Sequence, residues 1–246
     1  MPINKKPYLQ NLSIKPSPDI EWESYPFNIP AVRELDKLKF HADVTFFVGE
    51  NGAGKSTMME AIALALGFGH EGGTRNVRFQ TSTSESSLHR HLKLVRSFAT
   101  PRDAYFLRAE TFFNVSTYMD QGGAGVGYGD KLLHAHSHGE AFMAVLLNKL
   151  RGQGLYLLDE PEAALSPTRQ LAALRAINQL VGDDSQFIIA THSPILLSYP
   201  NATIFQFDDT GVRQVEFEET EHFAITKDFL NHYPRRLEQL MQDTEE

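Results

Sequence analysis

The chain has 246 residues, 41% of them hydrophobic and 22% charged, with a net charge of −8 and no cysteine. That is ordinary globular composition, long enough for one large α/β domain or two small ones, and it excludes disulfides and cysteine-ligated zinc or iron–sulfur sites. No apolar run approaches the ~20 residues that cross a bilayer, and the N-terminal MPINKKPYLQ has no apolar leader core, so a soluble, cytoplasmic protein is expected.

In chain order, PYLQNLSIKP alternates loosely between prolines and predicts a strand; WESYPFNIP predicts a second short extended piece. DVTFFVGE is a β-branched and aromatic run ending in glycine, the pattern of a buried strand. KSTMMEAIALALG follows, with Met58, Ile62, Ala65 and Leu66 at helical spacing and Gly67 and Gly69 to stop it. Residues 70–100 are polar; within them SSLHRHLKLVRS places Leu88, Leu92 and Val95 on one face behind a serine cap and predicts a helix. AYFLRA predicts a strand. DQGGAGVGYGD has five glycines in eleven residues and predicts a loop. Then come a helix from Gly139, a buried strand GLYLLDEP, and a helix SPTRQLAALRAINQLV with Pro167 in its first turn. SQFIIATHSP is another buried strand, ATIFQFDDTGVRQVEF is two strands joined by an Asp-Thr-Gly turn, and the tail is two helical stretches around Pro234. Apolar strands alternating with helices mean an α/β fold with a largely parallel sheet covered on both faces. The organisation expected is one domain over 1–246, with a lobe of about 70–135 inserted after the first long helix.

Four motifs carry chemistry. Gly49-Glu50-Asn51-Gly52-Ala53-Gly54-Lys55-Ser56 fits G-x-x-x-x-G-K-[ST], with Thr57 following. Its glycines let backbone N–H groups curl around phosphate at a helix N-terminus; Lys55 would reach the β- and γ-phosphates, and the Ser56 hydroxyl would ligate Mg²⁺. LYLLDE carries Asp159 to a strand end, where it can hold Mg²⁺, and Glu160 next to it is suited to polarise an attacking water. His192 ends the next buried strand, 33 residues past Asp159, and so emerges at the same sheet edge. Ser137-His138-Gly139-Glu140 starts a helix 22 residues before Asp159, an anion site by its serine and glycine. Charge is also uneven: seven basic residues and two acidic ones lie between Arg75 and Arg108. That stretch reads either as a solvated helix face or as a docking surface for nucleic acid or an acidic partner.

The order P-loop, Ser-x-Gly helix start, Asp-Glu, His resembles the ABC-type ATPase family over roughly Pro26 to Phe217. The resemblance implies a P-loop NTPase fold with an N-terminal antiparallel β portion and a small helical lobe. It implies binding of ATP and Mg²⁺, hydrolysis by Glu160 and His192, and a D-loop at Ala164-Leu165-Ser166. It also implies a head-to-tail homodimer in which the signature residues Ser137, His138, Gly139 and Glu140 complete the partner's site. A Q-loop residue is expected between P-loop and signature: Gln80 after NVRF, or Glu110 after YFLRA. Tyr25 or Phe27 could stack on adenine, and either reads equally well as core. The signature lacks the transporter-type L-S-G-G-Q pattern, and only 81 residues separate Lys55 from Ser137, without heptads. The chain thus is similar to stand-alone soluble ATPases of the "AAA family ATPase" kind, allied to the SMC, RecF and OLD groups. Such a protein would regulate or power a protein partner in a DNA-related or defence and stress system, with weak nucleic-acid binding at most and no direct membrane insertion. The alternatives are the ATP-binding subunit of a transporter and a nucleotide switch that barely hydrolyses.

Overall fold

Residues 5–74, 86–110 and 138–242 are described by the computed structural model. The strands are β1 (Leu9–Ile14), β2 (Leu38–Lys39), β3 (Val44–Val48), β4 (Leu92–Arg96), β5 (Asp103–Arg108), β6 (Gly154–Asp159), β7 (Gln186–Ala190), β8 (Thr203–Asp208) and β9 (Gly211–Val215). The helices are α1 (Pro30–Arg33), α2 (Lys55–Ala65), α3 (Leu88–His91), α4 (His138–Ala144), α5 (Pro167–Gly182), α6 (Pro194–Leu197) and α7 (Glu221–Gln242).

Six strands form the central sheet in the order β5-β6-β7-β3-β8-β9. Every neighbouring pair is parallel except β8 with β9, which the Asp-Thr-Gly turn returns antiparallel. Alternation along each strand divides the core in two. Phe46, Val48, Tyr156, Leu158, Phe187 and Ile189 face one layer, with α4, α5 and α6 residues such as Phe142, Ile177 and Leu197. Phe47, Leu157, Ile188 and Phe205 face the other, with Met58, Met59 and Ile62 of α2 and Leu9, Leu12 and Leu92 of the small sheet. Phe46 and Phe47 are both fully buried, on opposite faces; each contributes roughly 2–3 kcal/mol of apolar burial. Both faces are covered, which is why these strands read as unbroken apolar runs.

The antiparallel sheet is β2-β1-β4. Buried Gln186 ties it to the central sheet: its Oε1 accepts from Leu9 N at 2.9 Å, and its Nε2 donates to the carbonyls of Leu9 and His41 at 2.8 and 2.9 Å.

Two expectations are corrected. The helix read over SSLHRHLKLVRS is one turn, α3, running straight into β4. Pairing with β1 (Ser13 with Lys93, Leu12 with Leu94) claims this backbone, and tertiary hydrogen bonding overrides the 3.6-residue pattern. WESYPFNIP forms turns rather than an extended piece. The helix expected from Gly139 is present as α4, and it widens into a π-helical turn over Val145–Lys149. Within 70–135 the described residues contribute α3, β4 and β5; the rest of the expected lobe, including the glycine-rich loop, lies outside the described residues.

α5 begins as its sequence dictates. Pro167 sits at the first position, and Ser166 Oγ accepts from Arg169 N at 3.5 Å; such a cap is worth about 1 kcal/mol. The tail forms the two expected helical stretches, labelled together α7, which meet in a kink at His232, whose φ of −130° leaves the helical range just before Pro234. No described helix is long and apolar enough to cross a membrane.

Candidate functional site

Parallel strands end at one edge, so the motifs that follow them meet there. β3 runs into the glycine loop, β6 ends on Asp159 and β7 ends two residues before His192. The register places Arg108 beside Asp159, Asp159 beside Ala190, and Ala190 beside Phe47. Four separate sequence segments are thus set side by side along one sheet edge.

The loop's shape depends on glycine at its base. Gly49 has φ +146°, and a Cβ there would lie 2.1 Å from the carbonyl oxygen of Phe207 on β8. No side chain fits where the loop leaves the sheet. Lys55 opens α2, is 4% exposed, and bends back so that its Nζ donates to the carbonyls of Gly49 at 2.7 Å and Glu50 at 2.9 Å. Burial pushes its proton affinity down, opposed by the charges of Glu160 and Asp159. A cleft of about 520 Å³ opens over Glu50, Asn51, Gly52 and Ala53, walled on the far side by Gln206, Phe207, Asp208 and Arg213. A larger cleft, about 690 Å³, lies away from these groups in the bend of α7, against Ile225, Phe229 and Leu240.

Ser56 Oγ donates to Asp159 Oδ1 at 3.1 Å, closing the gap between α2 and β6. Asp159 is 4% exposed. Burial raises its pKa to about 6, against the lowering pull of Arg108 and the Ser56 hydroxyl. Arg108 Nε is 3.5 Å from Asp159 Oδ2, while its Nη1 meets Glu60 Oε2 at 3.2 Å and its Nη2 meets Glu110 Oε2 at 3.5 Å. Arg108 therefore leaves the basic surface stretch to which its sequence position assigned it and becomes the counter-charge of a buried acidic cluster. Arg90, Lys93, Arg96 and Arg102 of that stretch are exposed; Arg75 and Arg78 lie outside the described residues.

Glu160 follows in the left-handed region, φ 52° and ψ 52°, an uncommon conformation for a non-glycine residue. Its N–H donates to Ala190 O at 2.9 Å and extends the β6–β7 ladder by one bond. The turn swings its carboxylate toward His192, with Oε1 3.7 Å from Nε2. Glu162 completes the corner: its Oε2 accepts from Thr191 Oγ1 at 2.7 Å and its Oε1 from His192 N at 2.5 Å. Burial pushes the Glu162 carboxyl up, and these hydrogen bonds pull it back. On its other side His192 Nδ1 lies 3.0 Å from Nε2 of His222, in the first turn of α7. Burial, followed by Lys55, holds His192 below the ordinary histidine value; burial, followed by His192, does the same to His222.

The structure thus brings together Lys55, Ser56, Asp159, Glu160 and His192. Thr57 Oγ1 lies 3.2 Å from the hydroxyl of exposed Tyr25, whereas Phe27 is buried in the core beside Trp22 and His91. Ala164 closes a 3-10 turn, Leu165 is buried and Ser166 caps α5. Gly139 and Glu140 start α4 against that segment, with Glu140 Oε1 3.3 Å from Arg169 Nη2. Glu110 stands beside Arg108. Ser137, Gln80 and the side chain of His138 lie outside the described residues. Sequence reasoning missed Glu60, Glu162 and His222. Glu60 lies one helical turn past Ser56, so α-periodicity signals it. Glu162 and His222 carry no local signal, because tertiary packing makes their contacts.

The donor set suits a nucleotide and Mg²⁺. A cationic lysine at a helix start matches phosphate, and a hydroxyl 3.1 Å from a carboxylate offers two hard oxygens. No cluster of three or more metal-binding side chains exists among the described residues. Mg²⁺ bound through one or two protein oxygens plus phosphate and water needs none.

Two family models match: "AAA domain" over residues 24–120 and "AAA domain, putative AbiEii toxin, Type IV TA system" over residues 140–198. No curated protein matches the chain. Among solved structures it is similar to the SMC head domain from Thermotoga maritima, at 16% identity over 85% of this chain and 99% of that one, with a TM-score of 0.46. It is also similar to cbiO1 from Clostridium perfringens, part of the ABC transporter complex cbiONQ, at 19% identity over 85% and 90%, with a TM-score of 0.45. The two family models, with the glycine loop and the sheet-edge geometry above, support an AAA-type P-loop domain.

Proposed function

We propose that this chain binds ATP with Mg²⁺ and hydrolyses it, and that two copies close head to tail to do so. The supporting observation is the convergence of Ser56, Asp159, Glu160 and His192 on the sheet edge beside the P-loop, with the Ser56–Asp159 contact at 3.1 Å. Gly49 to Thr57 would hold the phosphates, Lys55 exchanging its two loop carbonyls for phosphate oxygens. Ser56 and Asp159 would hold Mg²⁺, which when bound supplies charge neutralisation to the phosphates. Glu160 would accept the proton of the attacking water, and His192 would donate a hydrogen bond to the charge that develops on the transferred group. Glu162 keeps His192 in place through its backbone N–H.

The resemblance stated above carries the dimer reading, with Ser137, His138, Gly139 and Glu140 meeting the partner's nucleotide and Ala164, Leu165 and Ser166 lying near the contact. The closing dimer would act on a protein partner in the cytoplasm. The test is Glu160→Gln. It is expected to abolish phosphate release from ATP and, with ATP and Mg²⁺, to shift the chain to dimer mass in size-exclusion chromatography with light scattering. A monomer under those conditions would refute the head-to-tail reading, and wild-type protein that releases no phosphate would refute hydrolysis.

A further inference from the structure

We propose that His222 is a positioning residue for His192: it fixes the tautomer in which His192 Nε2 carries the proton and presents it to the reacting phosphate. The inference deepens the function proposed above and rests on it.

The two rings meet at 3.0 Å between His192 Nδ1 and His222 Nε2, with centroids 5.1 Å apart. Two neutral imidazoles in that contact share one proton. If His192 supplies it, His192 Nε2 is a bare lone pair facing the Glu160 carboxylate 3.7 Å away. If His222 supplies it, His192 Nε2 bears an N–H facing that carboxylate, and the electrostatic preference is reversed. The far end of the pair agrees. His222 Nδ1 is buried without a hydrogen-bond partner among the described residues, and it sits in the first turn of α7. The positive end of a helix favours a lone pair there over an N–H. Both ends thus select donation from His222 Nε2 to His192 Nδ1. His192 Nε2 is itself buried without a hydrogen-bond partner among the described residues, a donor kept for an incoming acceptor. Burial disfavours the imidazolium at both rings, so a neutral pair is the state to consider near neutral pH.

The placement of His222 is built in. Thr220 is fully buried; its Oγ1 accepts from Phe223 N at 3.3 Å and its carbonyl from Ala224 N at 3.0 Å, which caps α7. Phe223 packs on Phe217 at 4.5 Å between ring centroids. The first turn is held, and His222 is held with it.

The test uses the full chain in two measurements. Long-range ¹H–¹⁵N NMR of the nucleotide-free protein reads the His192 tautomer directly. Nε2–H is expected in wild type and in His222→Gln, whose amide N–H replaces the donor, and a mixture of tautomers in His222→Phe. Steady-state phosphate release is expected to lose about ten-fold in kcat in His222→Phe, the worth of one hydrogen bond to a developing charge, with KM for ATP unchanged and recovery in His222→Gln. An Nδ1–H tautomer in wild type, or an unaltered tautomer in His222→Phe, would overturn the inference; the wild-type measurement stands even if a variant fails to fold. The NMR result also stands if the chain proves not to hydrolyse ATP, so failure of the inference and failure of the proposed function are distinguishable.

Discussion

Replacing Asp159 with asparagine should make the protein more stable above pH 6 while leaving its stability near pH 4 almost unchanged. Asp159 is 4% exposed, and burial lifts its pKa from the ordinary 3.8 to about 6. Below 3.8 the group is neutral in both folded and unfolded chains, and its burial carries no charge penalty. Above 6 it is ionised in both, and the folded state alone bears the cost of holding that charge out of water. Between the two values only the folded chain keeps the proton, so wild-type stability falls as pH rises through the window. The window spans about two pH units at about 1.4 kcal/mol each, so the penalty is at most about 3 kcal/mol. Asparagine keeps the shape, keeps an oxygen to accept from Ser56, and never ionises. Urea unfolding of wild type and Asp159→Asn from pH 4 to pH 8 should give curves that separate with rising pH, the variant becoming the more stable by up to about 3 kcal/mol. Titrating groups that do not interact with Asp159 affect both proteins alike and cancel. A gap independent of pH, or one that opens in favour of wild type, would refute the assignment of Asp159 as a carboxylate held at a desolvation cost.

Two further outcomes are expected. Gly49→Ala should cost at least about 3 kcal/mol in denaturant unfolding, because its Cβ would meet the Phe207 carbonyl at 2.1 Å. Gly52→Ala, with φ +83° but no described atom within 4 Å of its Cβ, should cost about 1–2 kcal/mol from backbone strain alone, and equal costs would remove the steric argument. Reversing Arg90, Lys93 and Arg96 to glutamate should abolish any salt-sensitive retention on DNA, since all three are exposed; unchanged retention would make them a solvated face.

Local physics made much of this protein legible before folding. Gly49 to Ser56 encode the glycine loop and the start of α2 in eight consecutive positions, because glycines, a lysine and a hydroxyl stand there in fixed order. The apolar runs before Lys55, Glu160 and His192 encode parallel strands buried on both faces. They also encode the edge where the motifs meet, since each motif directly follows its strand. Ser166-Pro167 encodes the start of α5. Where the pattern failed, a non-local force had decided. Leu88, Leu92 and Val95 have helical spacing, yet β1 offers a ladder of hydrogen bonds and the segment becomes β4. Arg108 counts as one more surface cation until β5 pairs with β6 and sets it against Asp159, where Glu60 and Asp159 offset the desolvation of its charge. Glu162 and His222 belong to no motif. They reach His192 because a 3-10 turn folds one back and a buried threonine caps the other's helix 30 residues away. The sequence by itself determined the polar groups of the candidate site and the strand ends that carry them. The tertiary structure alone decided their partners, and with them the charge of Asp159 and the orientation of His192, because those depend on desolvation and contact between segments that share no sequence neighbourhood.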